Sequence, residues 1–133
     1  RVDLEKALTI SAANCAAAWY LGLVHTTQAR WTAGGEEFEG AERCYRAEVE
    51  IARAQRLAAE AADDPAEVKA ARVADAEATI RDGERQAAMS AYNAGFGFVR
   101  AGTRDRARPL LDRAATHPDM TVRAQELLGS LDR

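Results

Sequence analysis

β-Branched and aromatic residues are scarce in this sequence. Among 133 residues, Val, Ile and Thr together number 18, whereas Ala alone numbers 31. Only 6% of the residues are aromatic, and only three are proline. Strands favour β-branched and aromatic side chains, whereas Ala is the best helix former and proline interrupts helices. The composition therefore argues against a β-sheet protein and predicts an all-α chain of one domain.

Two further absences exclude classes of function. The sequence has no apolar run long enough to cross a membrane, so we expect no membrane span. The formal net charge of −3 excludes a strongly basic domain of the kind that binds nucleic acid. The chain begins at Arg1 without a leader pattern, which leads us to expect a processed product or a piece of a longer protein. The compartment is not indicated.

Cysteine is also scarce. Cys15 and Cys44 are too few for a disulfide framework and do not form a C-x-x-C motif. Their Ala-rich surroundings predict buried thiols that pack as small hydrophobic residues. A bridge between these two cysteines, or between subunits, is the alternative.

Helical segments with short interruptions fill the sequence. Breaks are predicted near Ser11–Asn14, at Thr32–Gly35, at Asp63–Pro65, at Gly102 and at His117–Asp119. The predicted helices between these breaks span residues 2–11, 16–30, 37 or 40 to 62, 65–100, 104–116 and 121–131. Many helices joined by short links indicate a bundle or a solenoid.

An internal repeat favours the solenoid. Gly95 and Gly129 are 34 residues apart, and each follows apolar or small residues in a predicted helix. Small residues at Gly95 and Ala107 would allow two antiparallel helices to cross closely, with Gly102 in the turn. With Phe98, Leu111, Ala114 and Pro118, the segment 91–118 resembles a tetratricopeptide repeat (TPR). A second, weaker match surrounds Ala18-Trp19-Tyr20-Leu21-Gly22.

The TPR resemblance implies a single domain over residues 1–133, built as an antiparallel helix-pair solenoid. Its parts would be the end of a preceding repeat (1–14), a repeat with a long second helix (15–62), a long helix plus a repeat (65–118) and a capping helix (120–133). Residues 41–62 and 65–88 depart from the family pattern, and we predict that they form an elongated helical hairpin. Apolar residues along this hairpin suggest a contact with another chain or with a missing part of the parent protein. A solvent-exposed arm held by helix propensity is the alternative.

Catalytic and metal-binding patterns are absent from the sequence. His25 and His117 have no second ligand at helical spacing, and no nucleophile motif accompanies them. Gly95-Phe96-Gly97 lies within a predicted helix, so close helix packing explains it better than phosphate binding. We therefore predict a chain that is not an enzyme and has no cofactor.

The resemblance implies a protein-binding groove lined by the first helix of each repeat. Asn93 matches a position at which peptide-binding TPRs often hold an Asn that hydrogen-bonds the ligand backbone. For Trp19 and Tyr20, packing against the preceding unit is the alternative. The residues expected in the groove are Trp19, Tyr20, Leu23, Met89, Tyr92, Asn93, Phe96 and Arg100. The predicted function is non-enzymatic binding of a protein or peptide partner.

A second reading is a structural subunit that assembles head to tail into an oligomer or filament. Residues 1–66 carry a net charge of −4, whereas residues 67–133 carry +1. An acidic end and an Arg-rich end could meet between copies, and such contacts generate rings or filaments. The residues expected at that subunit contact are Glu36, Glu37, Glu39, Arg104, Arg106 and Arg108.

Overall fold

Five α-helices make up the computed structural model, which describes the backbone of residues 4–133 and the side chains of residues 14–133. No strand occurs in this described part, so the prediction of an all-α chain is confirmed. The helices are α1 (Leu4–Thr27), α2 (Trp31–Ala61), α3 (Ala66–Arg100), α4 (Arg104–Ala115) and α5 (Thr121–Leu131). None of them is both long and apolar enough to cross a membrane.

The boundaries of the last three helices agree with the prediction from the sequence. Helix α3 begins directly after Pro65 and continues through Gly83 to Arg100. Helices α4 and α5 begin at Arg104 and Thr121, as predicted. Proline and glycine end these helices through local backbone chemistry, which is why the sequence locates the ends well.

Two predicted breaks in the N-terminal part are wrong. Helix α1 continues through Ser11–Asn14, so residues 4–14 are not a separate helix of a preceding repeat. The segment Thr32–Gly35 lies inside α2. The true link is the three residues 28–30, where Ala29 adopts a left-handed conformation with φ of 58°. Residues 1–3 lie outside the described residues.

Consecutive helices pack antiparallel, each against the next along the chain. The prediction of a long α2–α3 hairpin is confirmed. Its seam consists of small residues that let the two helices approach closely. The buried residues along this seam include Val49, Ala52, Ala59, Ala76 and Gly83.

The main hydrophobic core lies between the C-terminal half of α3 and helices α4 and α5. Phe98, Leu110 and Leu111 are fully buried there, and Phe38 of α2 extends the core toward α1. A methyl group added at Gly95 would lie 2.6 Å from the Leu111 side chain and 3.5 Å from the carbonyl oxygen of Ala107. The predicted close crossing at Gly95 and Ala107 is therefore confirmed.

A disulfide joins Cys15 of α1 to Cys44 of α2, so the prediction of two buried thiols is wrong and the alternative of an internal bridge holds. The two Cα atoms are 5.3 Å apart, within the range that a disulfide requires. Sequence spacing could not reveal this pairing, because 29 residues separate the cysteines and two different helices carry them. The bridge fixes α1 to the rest of the array.

Candidate functional site

One face of α3 carries a row of side chains that reach the surface. Its members are spaced four, four, three and four residues apart, which places them along one side of a helix. We define this row as the α3 stripe, and it consists of Arg85, Met89, Asn93, Phe96 and Arg100. The stripe is roughly 22 Å long at the rise of an α-helix. Four of its five members belong to the groove predicted from the sequence.

The N-terminal end of the α3 stripe lines a cleft of about 380 Å³. Arg85, Met89 and Asn93 form one wall of the cleft. The opposite wall comes from the α4–α5 link and the first turn of α5, and consists of Asp119, Met120 and Arg123. The side chains of Arg85 and Asp119 form an ion pair across the cleft at 2.9 Å.

Polar groups within the cleft remain available. Arg123 is exposed, and neither it nor the Asn93 amide makes a hydrogen bond or ion pair with another described residue. The backbone N–H of Asp119 donates to Nδ1 of His117 at 3.1 Å, which holds the link between α4 and α5 in place. The structure thus gives His117 a role in shaping this turn.

Aromatic residues and an arginine gather at the other end of the α3 stripe. The rings of Phe96 and Trp31 meet edge to face, with centroids 6.1 Å apart. The guanidinium carbon of Arg100 lies 5.0 Å from the centroid of the Trp31 ring, in the geometry of a cation–π contact. Trp31 was not predicted as a site residue, because the sequence placed it beside an expected loop at Thr32–Gly35. The rarity of tryptophan, with only two in the chain, was the feature that could have pointed to it.

The remaining predicted groove residues are divided between the core and α1. Trp19 is half-buried and packs edge to face on Phe38 of α2 at 5.1 Å, so its packing partner is the following helix and not the preceding unit that the alternative named. Tyr92 is half-buried against the core. Tyr20 and Leu23 are exposed on α1, and neither lines the cleft. The structure therefore does not bring the whole predicted set together.

The charges predicted to meet between subunits are largely paired within one chain. Arg106 lies 4.0 Å from Glu36 and 3.5 Å from Glu39. Arg108 pairs with Asp132 at 3.0 Å, and Arg104 donates to the carbonyl oxygen of Leu131 at 3.2 Å. Glu37 is half-buried. These intrachain contacts occupy the groups on which a head-to-tail assembly would depend.

A buried carboxylate that sequence reasoning missed joins α2 to α4. Glu42 is 2% exposed and accepts hydrogen bonds from Arg113 at 2.8 and 2.9 Å and from Arg46 at 2.9 and 3.1 Å. Burial acts to raise the pKa of Glu42, but the hydrogen bonds and charges of Arg113 and Arg46 outweigh it and lower that pKa. The Arg113 pKa is raised by its hydrogen bond to Glu42. Because both arginines are committed to it, Glu42 is a structural residue.

Metal chemistry has no support in the described residues. No three His, Cys, Asp or Glu side chains gather there in a way that could hold a metal ion. The acidic residues Glu36 and Glu39 instead face Arg106.

The fold and the surface together define an all-α array of antiparallel helices with a mixed apolar and cationic stripe on α3. Comparison with models of known protein families, with curated proteins and with solved structures found no match to this chain.

Proposed function

We propose that the protein is a non-enzymatic, TPR-like module that binds an extended segment of a partner protein along the α3 stripe. The observation that carries this proposal is the continuity of the stripe. It links the Trp31–Phe96–Arg100 cluster at one end to the open cleft beside Arg123 at the other.

The side chains along the α3 stripe suit protein recognition. Trp and Arg are enriched among the residues that dominate interface energies, and Phe and Met are enriched at interfaces generally. Met89, which is half-buried at the cleft wall, offers a flexible apolar contact that adapts to different ligand side chains. The Asn93 amide has both donor and acceptor groups, so it can pair with a peptide group of a bound chain.

The arrangement of the helices supports the TPR-like part of the proposal, and it is observed independently of the sequence resemblance. Antiparallel neighbours and the close crossing at Gly95 are features that this chain has in common with helix-pair repeats. Head-to-tail assembly is not proposed, because Arg106, Arg108 and Arg104 already have partners within the chain.

The proposal is tested by measuring whether a variant of the α3 stripe that keeps the fold binds a peptide more weakly than the wild type does. Peptides selected from a displayed random library against the wild-type chain supply the ligand, and isothermal calorimetry measures its Kd. Asn93→Ala/Phe96→Ala is expected to raise the Kd at least tenfold, since the few residues that dominate an interface lie near its centre and each cost about 2 kcal/mol or more when truncated. Phe96 is 40% exposed, so its loss removes little core packing.

The matched control is Val122→Ala, which truncates another exposed apolar residue on α5. It is expected to leave the Kd unchanged, and both variants should retain the helical circular dichroism of the wild type. Equal affinity of Asn93→Ala/Phe96→Ala and the wild type for every selected peptide would contradict the proposal.

A further inference from the structure

The cleft beside the α3 stripe has a net charge opposite in sign to that of the whole chain. Among the residues that line it, Arg85 and Arg123 are positive and Asp119 is negative, which leaves one net positive charge. The whole chain has a formal net charge of −3. A local excess of one charge attracts a ligand group of the other sign. The balance in the cleft favours a ligand group that carries a single negative charge.

Hydrogen-bond donors in the cleft outnumber the acceptors that they meet. Neither Arg123 nor the half-buried Asn93 side chain has a hydrogen-bond partner among the described residues. Arg85 donates from Nε to Oδ2 of Asp119 at 2.9 Å, and its two Nη groups make no hydrogen bond within the described part of the chain. A guanidinium group has five N–H donors, and an ionised carboxylate has only acceptors. The cleft is therefore suited to a carboxylate from a ligand.

The chain itself shows that a carboxylate fits in this cleft. The side chain of Asp119 crosses the cleft to reach Arg85. Both side chains of this ion pair are more than half exposed, at 57% and 52%, and exposed ion pairs contribute little to stability. A second carboxylate can therefore compete with Asp119 for Arg85 at little cost to the fold.

Glu42 shows how arginines from two helices hold one carboxylate in this protein. It accepts hydrogen bonds from Arg46 of α2 and from Arg113 of α4. In the cleft, Arg85 of α3 and Arg123 of α5 also lie on two helices, but the chain supplies a carboxylate to Arg85 alone. The planar guanidinium group matches the two oxygens of a carboxylate with paired N–H donors. A carboxylate from a ligand would complete the same arrangement in the cleft.

We propose that the cleft binds the carboxylate of an Asp or Glu side chain in the bound segment, in competition with Asp119, an inference that rests on the function proposed above. The groups that hold this carboxylate are the guanidinium of Arg123, the amide of Asn93 and the Nη groups of Arg85. Recognition of acidic segments by clustered arginines is a recurring mode of peptide binding.

Two other acidic groups suit the cleft less well. A phosphorylated side chain carries a charge of about −1.5 to −2, which exceeds the single positive charge of the cleft and would lie beside Asp119. A C-terminal carboxylate has the right charge, but α3 continues from Arg85 back to Ala66, so a bound segment can pass beyond the cleft and need not end there. The side chain of an internal residue is therefore the favoured occupant.

Isothermal calorimetry with matched peptides tests the proposal. The probes are the library-selected peptides, acetylated at the N-terminus and amidated at the C-terminus, with each Asp or Glu replaced in turn by Asn or Gln. One such replacement is expected to raise the Kd for the wild type at least about tenfold, because it removes hydrogen bonds between charged groups. For Arg123→Gln, the same replacement is expected to raise the Kd less than about threefold, because a partner of the carboxylate is already absent.

Asp119→Asn tests the competition. It is expected to lower the Kd of the acidic peptide about two- to fivefold, since it removes a negative charge beside the ligand carboxylate, and to leave the Kd of the replaced peptide unchanged. The backbone N–H that donates to His117 is retained in this variant. The matched control is Arg43→Gln, which removes a positive charge at an exposed position of α2 outside the cleft. The tenfold difference between the two peptides should persist in Arg43→Gln.

Four results would each overturn the proposal. They are selected peptides that contain no Asp or Glu, equal affinity of the wild type for the acidic and the replaced peptides, a difference between these peptides that is as large in Arg123→Gln as in the wild type, and weaker binding of the acidic peptide by Asp119→Asn. Binding that is lost when the C-terminus is amidated would also overturn it, in favour of a terminal carboxylate. None of these results contradicts the proposed function as long as Asn93→Ala/Phe96→Ala still weakens binding, so the two proposals can fail separately.

Discussion

Glu42 is the residue that links α2 to α4 most directly, through its hydrogen bonds with Arg113. Its carboxylate is buried. Oε1 accepts a hydrogen bond from Arg113 of α4, and Oε2 accepts from both Arg113 and Arg46 of α2. Arg113 and Arg46 remain about half exposed, which moderates the cost of removing their partner. The network therefore contributes to the stability of the fold chiefly because the Glu42 carboxylate is buried.

We expect Glu42→Gln to lower the free energy of unfolding by about 1–3 kcal/mol at pH 7, since it removes charge-assisted hydrogen bonds while water solvates part of the half-exposed Arg113 and Arg46 side chains. Urea denaturation measures this change. Glu50→Gln, at an exposed carboxylate paired with Arg53, is the control and should change the free energy by less than about 0.5 kcal/mol.

The pH dependence of stability should show the same network. Because the folded-state pKa of Glu42 is lowered, its contribution is present above the unfolded-state value of 4.5 and is lost as the pH falls through the folded-state pKa. The wild type should therefore lose more stability than Glu42→Gln when the pH falls from 5 to 3. Parallel losses in the two proteins would show that Glu42 does not carry this dependence.

At the scale of helices, glycine decides how closely α2 and α3 approach. A methyl group added at Gly97 would lie 3.0 Å from the carbonyl oxygen of Trp31 and 3.2 Å from the Cα atom of Gly35. Both neighbours are backbone atoms of α2, so neither can move without shifting the helix. Gly35 therefore lies inside α2 at its crossing with α3. Gly34 lies inside α2 where α1 approaches, since a methyl group added there would be 3.3 Å from the carbonyl oxygen of Gly22. In the sequence the two glycines look like a break.

Gly97→Ala is expected to lower the free energy of unfolding by about 1–3 kcal/mol, because it overfills this crossing. Gly40→Ala is the control, since the nearest atom to its added methyl group is a guanidinium nitrogen of Arg43 at 3.8 Å. It should raise stability by about 0.5–1 kcal/mol through its helix propensity. The denaturation midpoints of the two variants should move in opposite directions, and a shared direction would disprove the crossing argument.

At the scale of the whole molecule, α2 is the principal neighbour of the described part of α1. The Cys15–Cys44 bridge reinforces the contact between these two helices. The other helices share a core that extends from Phe38 through Phe98 and Leu111 to α5. The disulfide therefore stabilises the packing of α1 more than it stabilises the packing of any other helix.

Cys15→Ala/Cys44→Ala is expected to lower the free energy of unfolding by about 3–4 kcal/mol, the range for a bridge that closes a loop of this length. The cysteines are 29 positions apart in the sequence. Urea denaturation with and without dithiothreitol measures the effect, and only the wild type should respond to the reductant. Hydrogen exchange should accelerate most in α1. Uniform acceleration over all five helices would contradict a local role for the bridge.

The ends of α1 and α3 show what a local signal can and cannot reveal. In α3, the N–H groups of Gly102 and Thr103 bond back to Val99 and Phe98, and Gly102 takes the left-handed conformation with φ of 83°. In α1, Ala29 and Arg30 make the same pair of bonds to Thr26 and His25. Gly102 predicts the end of α3 from the sequence. Ala29 gives no such signal for the end of α1, because alanine rarely adopts positive φ.

The sequence by itself determined the all-α class, the bounds of α3, α4 and α5, the long α2–α3 hairpin and the close crossing at Gly95. Composition, proline and glycine act through local backbone energetics, so the class and the helix bounds need no knowledge of distant contacts. The hairpin and the crossing were expected because small residues recur at spacings that let neighbouring helices approach closely. Only the tertiary structure decided the continuity of α1, the Cys15–Cys44 pairing and the burial of Glu42 between Arg46 and Arg113. Tertiary contacts also placed Trp31 beside Phe96 and separated Tyr20 from the cleft. Each of these depends on which helix faces meet across long stretches of chain, and helical periodicity alone does not specify that choice.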